Sequence, residues 1–308
     1  MIEKTKNKHP FDNALFDVEH AIGMYATSFC TIPAEAIYDK EALEPLMSVI
    51  ETCHIYLIGF LPKIDFVGAK QNKNKLSLSF SVLGNEGTIE NEVPEELLLG
   101  QEDDLYFLSD GQGNRYWPDE SSIHTALSNK SKAINFEVKY IGQAYGKDGS
   151  RNAIDRLLKH ETLQKIAING TPKEHQLMLL MLEIQPNNQV FTLFNPNAKN
   201  KEEGQSRIKA GLDKLFGTTE QERIALYEAS LIRYFSPKYN KEFKNSFPST
   251  NLKILQDCYE KDFAGIIAEI CIDELPFRLF SETVESKQYH IAQFKLHDNE
   301  ERKIFFSM

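Results

Sequence analysis

One acidic residue in the middle of an apolar helix face restricts how this chain can fold. Residues Thr219–Phe235 predict a helix that ends near Pro237, since the residue before a proline disfavours helical geometry. At about 100° per residue, one stripe of this helix is apolar, and Glu228 lies within it. The apolar stripe consists of Ile224, Leu231, Ile232 and Phe235. Burying an unpaired carboxylate is costly, so Glu228 must pair with a core arginine, be protonated or bind a metal.

A second pair of residues with chemical potential lies upstream. The sequence predicts a helix from about Arg151 to Ile168, with Arg156 and His160 four residues apart on one edge of its apolar sector. A guanidinium beside a titratable imidazole can bind a phosphodiester and stabilise the charge that develops on it. The alternative is a surface arginine and a histidine that caps a helix or packs in the core.

These residues belong to an ordered set of motifs. Tyr140-Ile141-Gly142 ends a predicted strand and is followed by a glycine-containing loop and the helix with Arg156 and His160. Downstream, a glutamate on a helix, Glu228, is followed by Pro237 and Asn240. This order resembles the GIY-YIG nuclease family, and the resemblance covers about Leu105 to Asn240.

The resemblance implies endonuclease activity, the hydrolysis of a nucleic-acid phosphodiester with a single divalent metal ion, Mg²⁺ or Mn²⁺. Glu228 would hold the metal, and Arg156 would stabilise the phosphate charge. Tyr140 would orient or deprotonate the attacking water, and His160 would assist proton transfer. Asn240 would fix geometry by hydrogen bonding.

The first catalytic tyrosine of the family has no obvious counterpart here. The family presents a Gly-Ile-Tyr strand shortly before its Tyr-Ile-Gly strand, and this chain has no Gly-Ile-Tyr tripeptide. Tyr106 is the best substitute, with Tyr116 second, and either requires an unusually long connection. Substrate contacts are predicted for a further set of residues. They are Gly142, Lys147, Arg151, Lys238 and Asn240.

The resemblance and the local patterns predict an α+β fold in three parts. Residues 1–100 form an acidic accessory α+β region, residues 101–250 a nuclease domain, and residues 251–308 a β-rich extension. For the nuclease domain the resemblance implies a small central antiparallel sheet flanked by helices. Strands are predicted at 55–60, 76–83, 105–108, 134–142, 176–184 and 189–194, and helices at 33–53, 151–168, 202–216 and 219–235. The span 85–104 is predicted to be a connection.

Charge is distributed unevenly along the chain. Residues 1–128 carry 9 basic and 21 acidic side chains, whereas residues 129–175 carry 9 and 5, and residues 230–253 carry 5 and 1. The two basic blocks suit a nucleic-acid partner, with DNA favoured over RNA. The alternative function is a non-catalytic nucleic-acid-binding protein on a degenerate GIY-YIG-like fold. The acidic first part suits a protein partner or a homodimer contact.

The remaining features favour a cytoplasmic protein with no membrane contact. The longest apolar run, near Leu177–Leu182, is far shorter than the ~20 residues that cross a bilayer, and the first eight residues lack the apolar core of a signal peptide. The four cysteines, at 30, 53, 258 and 271, show no C-x-x-C spacing, so neither a zinc cluster nor a disulfide framework is expected.

Overall fold

The computed structural model describes residues 14–130, 133–146, 152–249, 252–302 and 304–306. The strands are β1 (Val18–Pro33), β2 (Ile55–Pro62), β3 (Ile64–Asn72), β4 (Lys75–Val82), β5 (Asn85–Glu92), β6 (Leu98–Glu102), β7 (Leu105–Ser109), β8 (Arg115–Tyr116), β9 (Asn135–Gln143), β10 (His175–Ile184), β11 (Gln189–Phe194), β12 (Gly265–Cys271), β13 (Arg278–Ser281), β14 (Val284–Lys287) and β15 (Tyr289–Lys295). The α-helices are α1 (Lys40–Leu43), α2 (Met47–Ile50), α3 (Glu120–Lys130), α4 (Ala153–Leu157), α5 (Glu161–Ile168), α6 (Gly204–Gly217), α7 (Glu220–Phe235) and α8 (Lys253–Glu260).

One large mixed sheet dominates the described residues. Its strand order is β14-β13-β9-β2-β10-β1-β12-β15, and β11 also pairs with β1. The long strand β1 pairs along one side with β10 and then with β11, both antiparallel. Between them, Pro186 lacks the N–H that a continuous ladder would need, and the Gln185 side chain accepts a hydrogen bond from the Tyr25 N–H at 2.8 Å. Strands β10 and β11 therefore follow one another along the same edge of β1, with a break between them. This break confirms the prediction of two separate strands.

Helix α7 packs against the inner surface of this curved sheet. It contacts three consecutive strands, β1, β12 and β15, and also β9, which lies further along the strand order. Ten of its residues are buried, from Arg223 to Phe235, so the helix has little free surface. A helix surrounded in this way is held in one orientation by close packing, which fixes the direction of each of its side chains.

The predicted fold class is wrong. The chain is 40% strand and 28% helix, and its sheet is large, mixed and nearly closed, instead of a small antiparallel sheet flanked by helices. Two groups of strands enlarge it, namely β1 and β2 before the predicted domain and β12–β15 after it. Strand β1 gave no period-2 signal, because its first seven residues are buried whichever way they point.

A β-rich insertion separates two neighbouring strands of the large sheet. Strands β2 and β9 are antiparallel partners, yet residues 63–134 lie between them in the sequence. This insertion contains α3 and two three-stranded sheets, β3-β4-β5 and β6-β7-β8. The span 85–104, predicted as a connection, instead supplies β5 and β6. Only Ile89 of β5 is buried, so this strand shows no apolar alternation in the sequence.

The large sheet takes strands from each of the three predicted segments. Strands β1 and β2 come from the first, β9, β10 and β11 from the second, and β12–β15 from the third. The division of the chain into those three parts stays a prediction. Within the described residues, no helix has both the length and the apolar character needed to cross a membrane.

Candidate active site

Two tyrosines meet across the ladder between β2 and β9. Tyr56 pairs with Gly142, and Ile58 pairs with Tyr140, so both phenols lie at the same end of the hairpin. Their ring centroids are 6.3 Å apart in a stacked arrangement. A Cβ atom at position 142 would lie 2.6 Å from the Tyr56 phenol oxygen and 2.8 Å from Cε1 of Tyr140. The close approach of the two rings therefore requires glycine at this position.

Tyr56 is the residue that the sequence reasoning missed. It is fully buried, and it stands on the strand that pairs with Tyr140-Ile141-Gly142, where the resemblance requires the first tyrosine. Tyr106 lies elsewhere, on β7 of the insertion, with its ring edge-on to Phe66 and its hydroxyl over Gly68. The strand Ile55–Phe60, with Tyr56 near its start, was predicted from the sequence. It would have indicated Tyr56 if the insertion after this strand had been recognised.

Arg156 and His160 stand on two successive short helices. The predicted single helix over 151–168 is wrong, because α4 ends at Leu157 and α5 begins at Glu161. The break arises at His160, whose Nδ1 accepts a hydrogen bond from the Leu163 N–H at 3.1 Å and so caps α5. His160 therefore caps a helix, which was one of the alternatives predicted for it.

Both residues nevertheless face the tyrosines. Arg156 is exposed, and its guanidinium lies beside the Tyr56 phenol, where its charge and hydrogen bond oppose the rise in the Tyr56 pKa that burial causes. The His160 ring packs against Tyr140, with centroids 5.0 Å apart, and edge-on to Tyr56 at 5.5 Å. An exposed cation thus lies beside a buried aromatic cluster.

Burial, and then the charge of Arg156, lower the pKa of His160 to about 4. The ring is therefore neutral near pH 7, and because Nδ1 accepts from the backbone, the proton is carried on Nε2. In this state the His160 ring packs against both phenols. The geometry favours a positioning role over the predicted role in proton transfer.

The protonation of His160 should make the free energy of unfolding depend on pH. The unfolded chain takes up the proton near pH 6.5, before the folded protein does, so stability present above that pH is lost as the pH falls toward 4. We expect wild type to lose about 1 kcal/mol per pH unit in this range relative to His160→Asn, which keeps a capping acceptor. Denaturant unfolding of both proteins from pH 7 to pH 4 measures this, and parallel curves would contradict it.

Glu228 reaches the same region from α7. This helix begins with a capping box between Thr219 and Glu222 and ends at Ser236, whose φ of 47° is left-handed. The Glu228 side chain is buried, and the side-chain amide and backbone N–H of Gln143 donate to its carboxylate. No ion pair within 4.0 Å involves Glu228 among the described residues, which removes the salt-bridge alternative.

The electrostatics of Glu228 follow from this environment. Burial, opposed by the Gln143 hydrogen bonds and assisted by the nearby charge of Glu242, raises the pKa of Glu228 to about 8. Arg156 lowers it, but too weakly to restore the ordinary value. The same glutamate raises the pKa of Tyr140, after burial, so the carboxylate and the phenol share one electrostatic environment. With a pKa of about 8, a buried acid without a counter-ion is mostly protonated near pH 7, and a cation bound beside it would favour its ionised form.

The donor set suits a hard cation that keeps its water. No group of three or more His, Cys, Asp and Glu side chains gathers to hold a metal in the part of the chain that the structure describes. Mg²⁺ and Mn²⁺ accept one or two protein carboxylates and complete their shell with water and phosphate oxygens, whereas a zinc site needs more protein ligands. Glu228, hydrogen-bonded by Gln143, fits the former type of ion.

Asn240 fixes the strand that carries Tyr140. Its Oδ1 accepts from the Ile141 N–H at 2.9 Å, and its Nδ2 donates to the Ile141 carbonyl at 2.8 Å. Strand β13 pairs only with the first part of β9, so Asn240 completes the ladder along the rest of that edge. The predicted role of Asn240 in hydrogen bonding is thus visible as a clamp on the backbone.

Removal of this clamp should destabilise the protein. Asn240→Ala leaves two buried backbone groups of Ile141 without partners, and we expect a loss of about 2 kcal/mol in the free energy of unfolding. The exposed Asn85→Ala, at the start of β5 in the insertion, is the matched control and should cost less than about 0.5 kcal/mol. Equal effects of the two changes would disprove the clamp.

Of the three basic residues predicted to bind substrate, the structure describes only Lys238. Lys238 is exposed near the end of α7, with its Nζ 5.8 Å from the ring centroid of Tyr239. It follows directly on the helix that carries Glu228, so it is available to a polyanion near the site. Lys147 and Arg151 lie outside the described residues.

Comparison with protein-family models, with curated proteins and with solved structures finds no match to this chain. The function is therefore inferred from the geometry and chemistry of the site itself.

Proposed function

We propose that the protein is a divalent-metal-dependent endonuclease that hydrolyses phosphodiester bonds with a GIY-YIG-type set of residues. The observation that carries this proposal is the convergence of Tyr56, Tyr140, Arg156 and the buried, unpaired Glu228 around Gly142. Glu228 has no counter-ion among the described residues and lies near a cation and two phenols whose pKa values are also perturbed, a combination that is typical of functional sites. The proposed similarity to the GIY-YIG family concerns these side chains. It does not extend to the small sheet that was predicted, which the structure contradicts.

Glu228 would hold the single Mg²⁺ or Mn²⁺ ion, with Gln143 orienting its carboxylate. When bound, such an ion stabilises the charge on the leaving oxygen and on the phosphate. Arg156 is exposed at the edge of the cluster, so its planar guanidinium can bind two phosphate oxygens of a substrate that approaches from solvent. This places the scissile phosphate between Glu228 and Arg156.

The two tyrosines would have different tasks. Burial raises the pKa of both phenols, so both are protonated near neutral pH. Tyr140 is only half-buried, and the charge of Glu228 contributes to the rise in its pKa. Tyr140 is therefore the phenol that would orient the attacking water. Tyr56 is fully buried beside Arg156 and would hold the guanidinium in place. We therefore assign to Tyr56 the role of the first tyrosine of the family, which was predicted for Tyr106.

Cleavage assays with tyrosine variants test this assignment. The full chain is incubated with plasmid DNA, single-stranded DNA and RNA in Mg²⁺ or Mn²⁺, and nicking is followed on gels. We expect Tyr140→Phe and Tyr56→Phe each to lower kcat/KM by about 10²-fold, because Tyr140→Phe loses the hydroxyl that orients the attacking water and Tyr56→Phe loses the hydroxyl that holds Arg156. Tyr106→Phe, on β7 of the insertion, is the control and should cleave as wild type does.

The outcomes separate the proposed functions. Loss of cleavage in Tyr106→Phe with full cleavage in Tyr56→Phe would reverse the assignment. If wild type leaves all three nucleic acids intact but retards them in a salt-dependent way, the non-catalytic binding alternative replaces the nuclease. DNA as substrate, a cytoplasmic location, and a homodimer or protein contact through the acidic first part stay predictions.

A further inference from the structure

The insertion between β2 and β9 contains a cavity unrelated to the candidate active site. Its volume is about 500 Å³, and its walls come from both small sheets and from α3. Phe66 and Phe80 contribute from the first sheet, Tyr106 from the second, and Trp117 from the segment before α3. The side chains of Phe66 and Trp117 remain 42% and 37% exposed, so the cavity is open to a ligand.

The aromatic rings are arranged as a box. Tyr106 and Trp117 both stand nearly perpendicular to Phe66, at 87° and 86°, with centroids 5.4 and 6.3 Å away. Phe80 closes another side, tilted by 58° at 5.4 Å. All four rings line the cavity, and the planes of the other three differ by 58° to 87° from that of Phe66, so that faces and edges of differing polarity border one space.

The charge around this box is negative. Asp104 lies in the cavity wall, and the lining includes no Lys or Arg among the described residues. The whole insertion, residues 63–134, carries 12 acidic and 7 basic side chains. This charge disfavours a nucleotide or another anion and attracts a cation.

We propose that this cavity binds an organic cation of the alkylammonium type. The faces of aromatic rings attract an ammonium group, and a nearby carboxylate adds to the attraction, as in other aromatic cages for quaternary ammonium groups. The cation could be a free small molecule or the side chain of a lysine, methylated or not, on a protein partner. The recognised chemistry is the same in both cases.

The single tryptophan of the chain provides a direct reporter. Because Trp117 is the only tryptophan, any ligand-induced change in tryptophan fluorescence comes from the cavity wall. The full protein is titrated with choline and, separately, with dimethylbutanol, in which a neutral tert-butyl group replaces trimethylammonium. We expect choline to bind at least about 10-fold more tightly than its neutral isostere.

Variants identify the groups responsible. Asp104→Asn keeps the shape of the side chain and removes its charge, and Tyr106→Leu removes one wall of the box. Each should weaken choline binding about 10-fold, measured by the same fluorescence and by calorimetry. Glu86→Gln removes an exposed charge from the same insertion without touching the cavity and should leave binding unchanged.

Peptides distinguish the two sources of the cation. Titration with a trimethyl-lysine peptide and with its unmethylated form shows whether a peptide side chain binds more tightly than choline, which would assign the cavity to a protein partner. Tighter binding of choline would assign it to a small molecule. Equal binding of choline and dimethylbutanol, or no fluorescence change with either choline or the peptides up to millimolar concentration, would overturn the proposal.

Discussion

Glu228→Gln is expected to reduce Mg²⁺-dependent cleavage by about 10³-fold or more. The amide keeps the size of the side chain and its contact with Gln143, but it removes the negative charge that would bind the cation. Without that ion, the leaving oxygen loses its main source of charge stabilisation. The effect should appear in kcat as well as in kcat/KM, and excess Mg²⁺ or Mn²⁺ should not restore activity.

The same substitution should alter the pH dependence of stability. The folded protein holds the Glu228 proton up to about pH 8, whereas the unfolded chain releases it near pH 4.5. Stability is therefore greatest below the unfolded pKa and falls by about 1 kcal/mol per pH unit as the pH rises toward 8, and in Glu228→Gln this loss is absent. Unfolding of the two proteins in a chelator from pH 5 to pH 8 measures the difference.

A matched acidic control separates the site from general charge effects. The side chain of Glu285 is 88% exposed, and Glu285→Gln should change neither cleavage nor the pH profile of stability. Cleavage at the wild-type rate by a well-folded Glu228→Gln would refute the metal-binding role. A stability difference that stays constant from pH 5 to pH 8 would show that the carboxylate is ionised throughout.

Arg156→Ala should lower kcat/KM by about 10³-fold with little change in stability. The guanidinium is exposed, so its removal opens no cavity, but the phosphate loses its bidentate partner and the Tyr56 phenol loses a neighbouring charge. Arg156→Lys keeps the charge and loses the planar fork, so its activity should lie between those of wild type and the alanine variant.

Lys159→Ala is the control for the arginine. Lys159 is also exposed, and it lies three residues further along, between α4 and α5. Its removal should weaken substrate binding only slightly and only at low salt. Equal losses in Arg156→Ala and Lys159→Ala would mean that the region contributes general positive charge and no specific phosphate contact.

The position of Glu228 could be predicted from the sequence because helix periodicity is local. Sixteen residues of α7 are enough to show which side chains share a face, and the acid among Ile224, Leu231 and Ile232 stands out in that pattern. Its missing counter-ion could not be predicted, because ion pairs depend on residues distant in sequence.

Tyr56 could not be assigned for the same physical reason. Its partner strand begins only after the whole insertion, and the pairing of Tyr56 with Gly142 leaves no trace in local composition. The break between α4 and α5 was missed because His160 resembles a helical residue by spacing, while its ring caps the next helix. The wide sheet went unrecognised because β1, near the start of the chain, pairs with β10 from its middle and with β12 from near its end.

The most direct test of the candidate site is the position of Mn²⁺ in crystals of the Tyr140→Phe protein, located by anomalous scattering. The site predicts a single strong peak within coordinating distance of the Glu228 carboxylate, with water in the remaining positions and Arg156 free to meet a phosphate. Glu228 paired with Arg156 and no peak beside it, at millimolar Mn²⁺ and pH 8, would contradict the metal-dependent site.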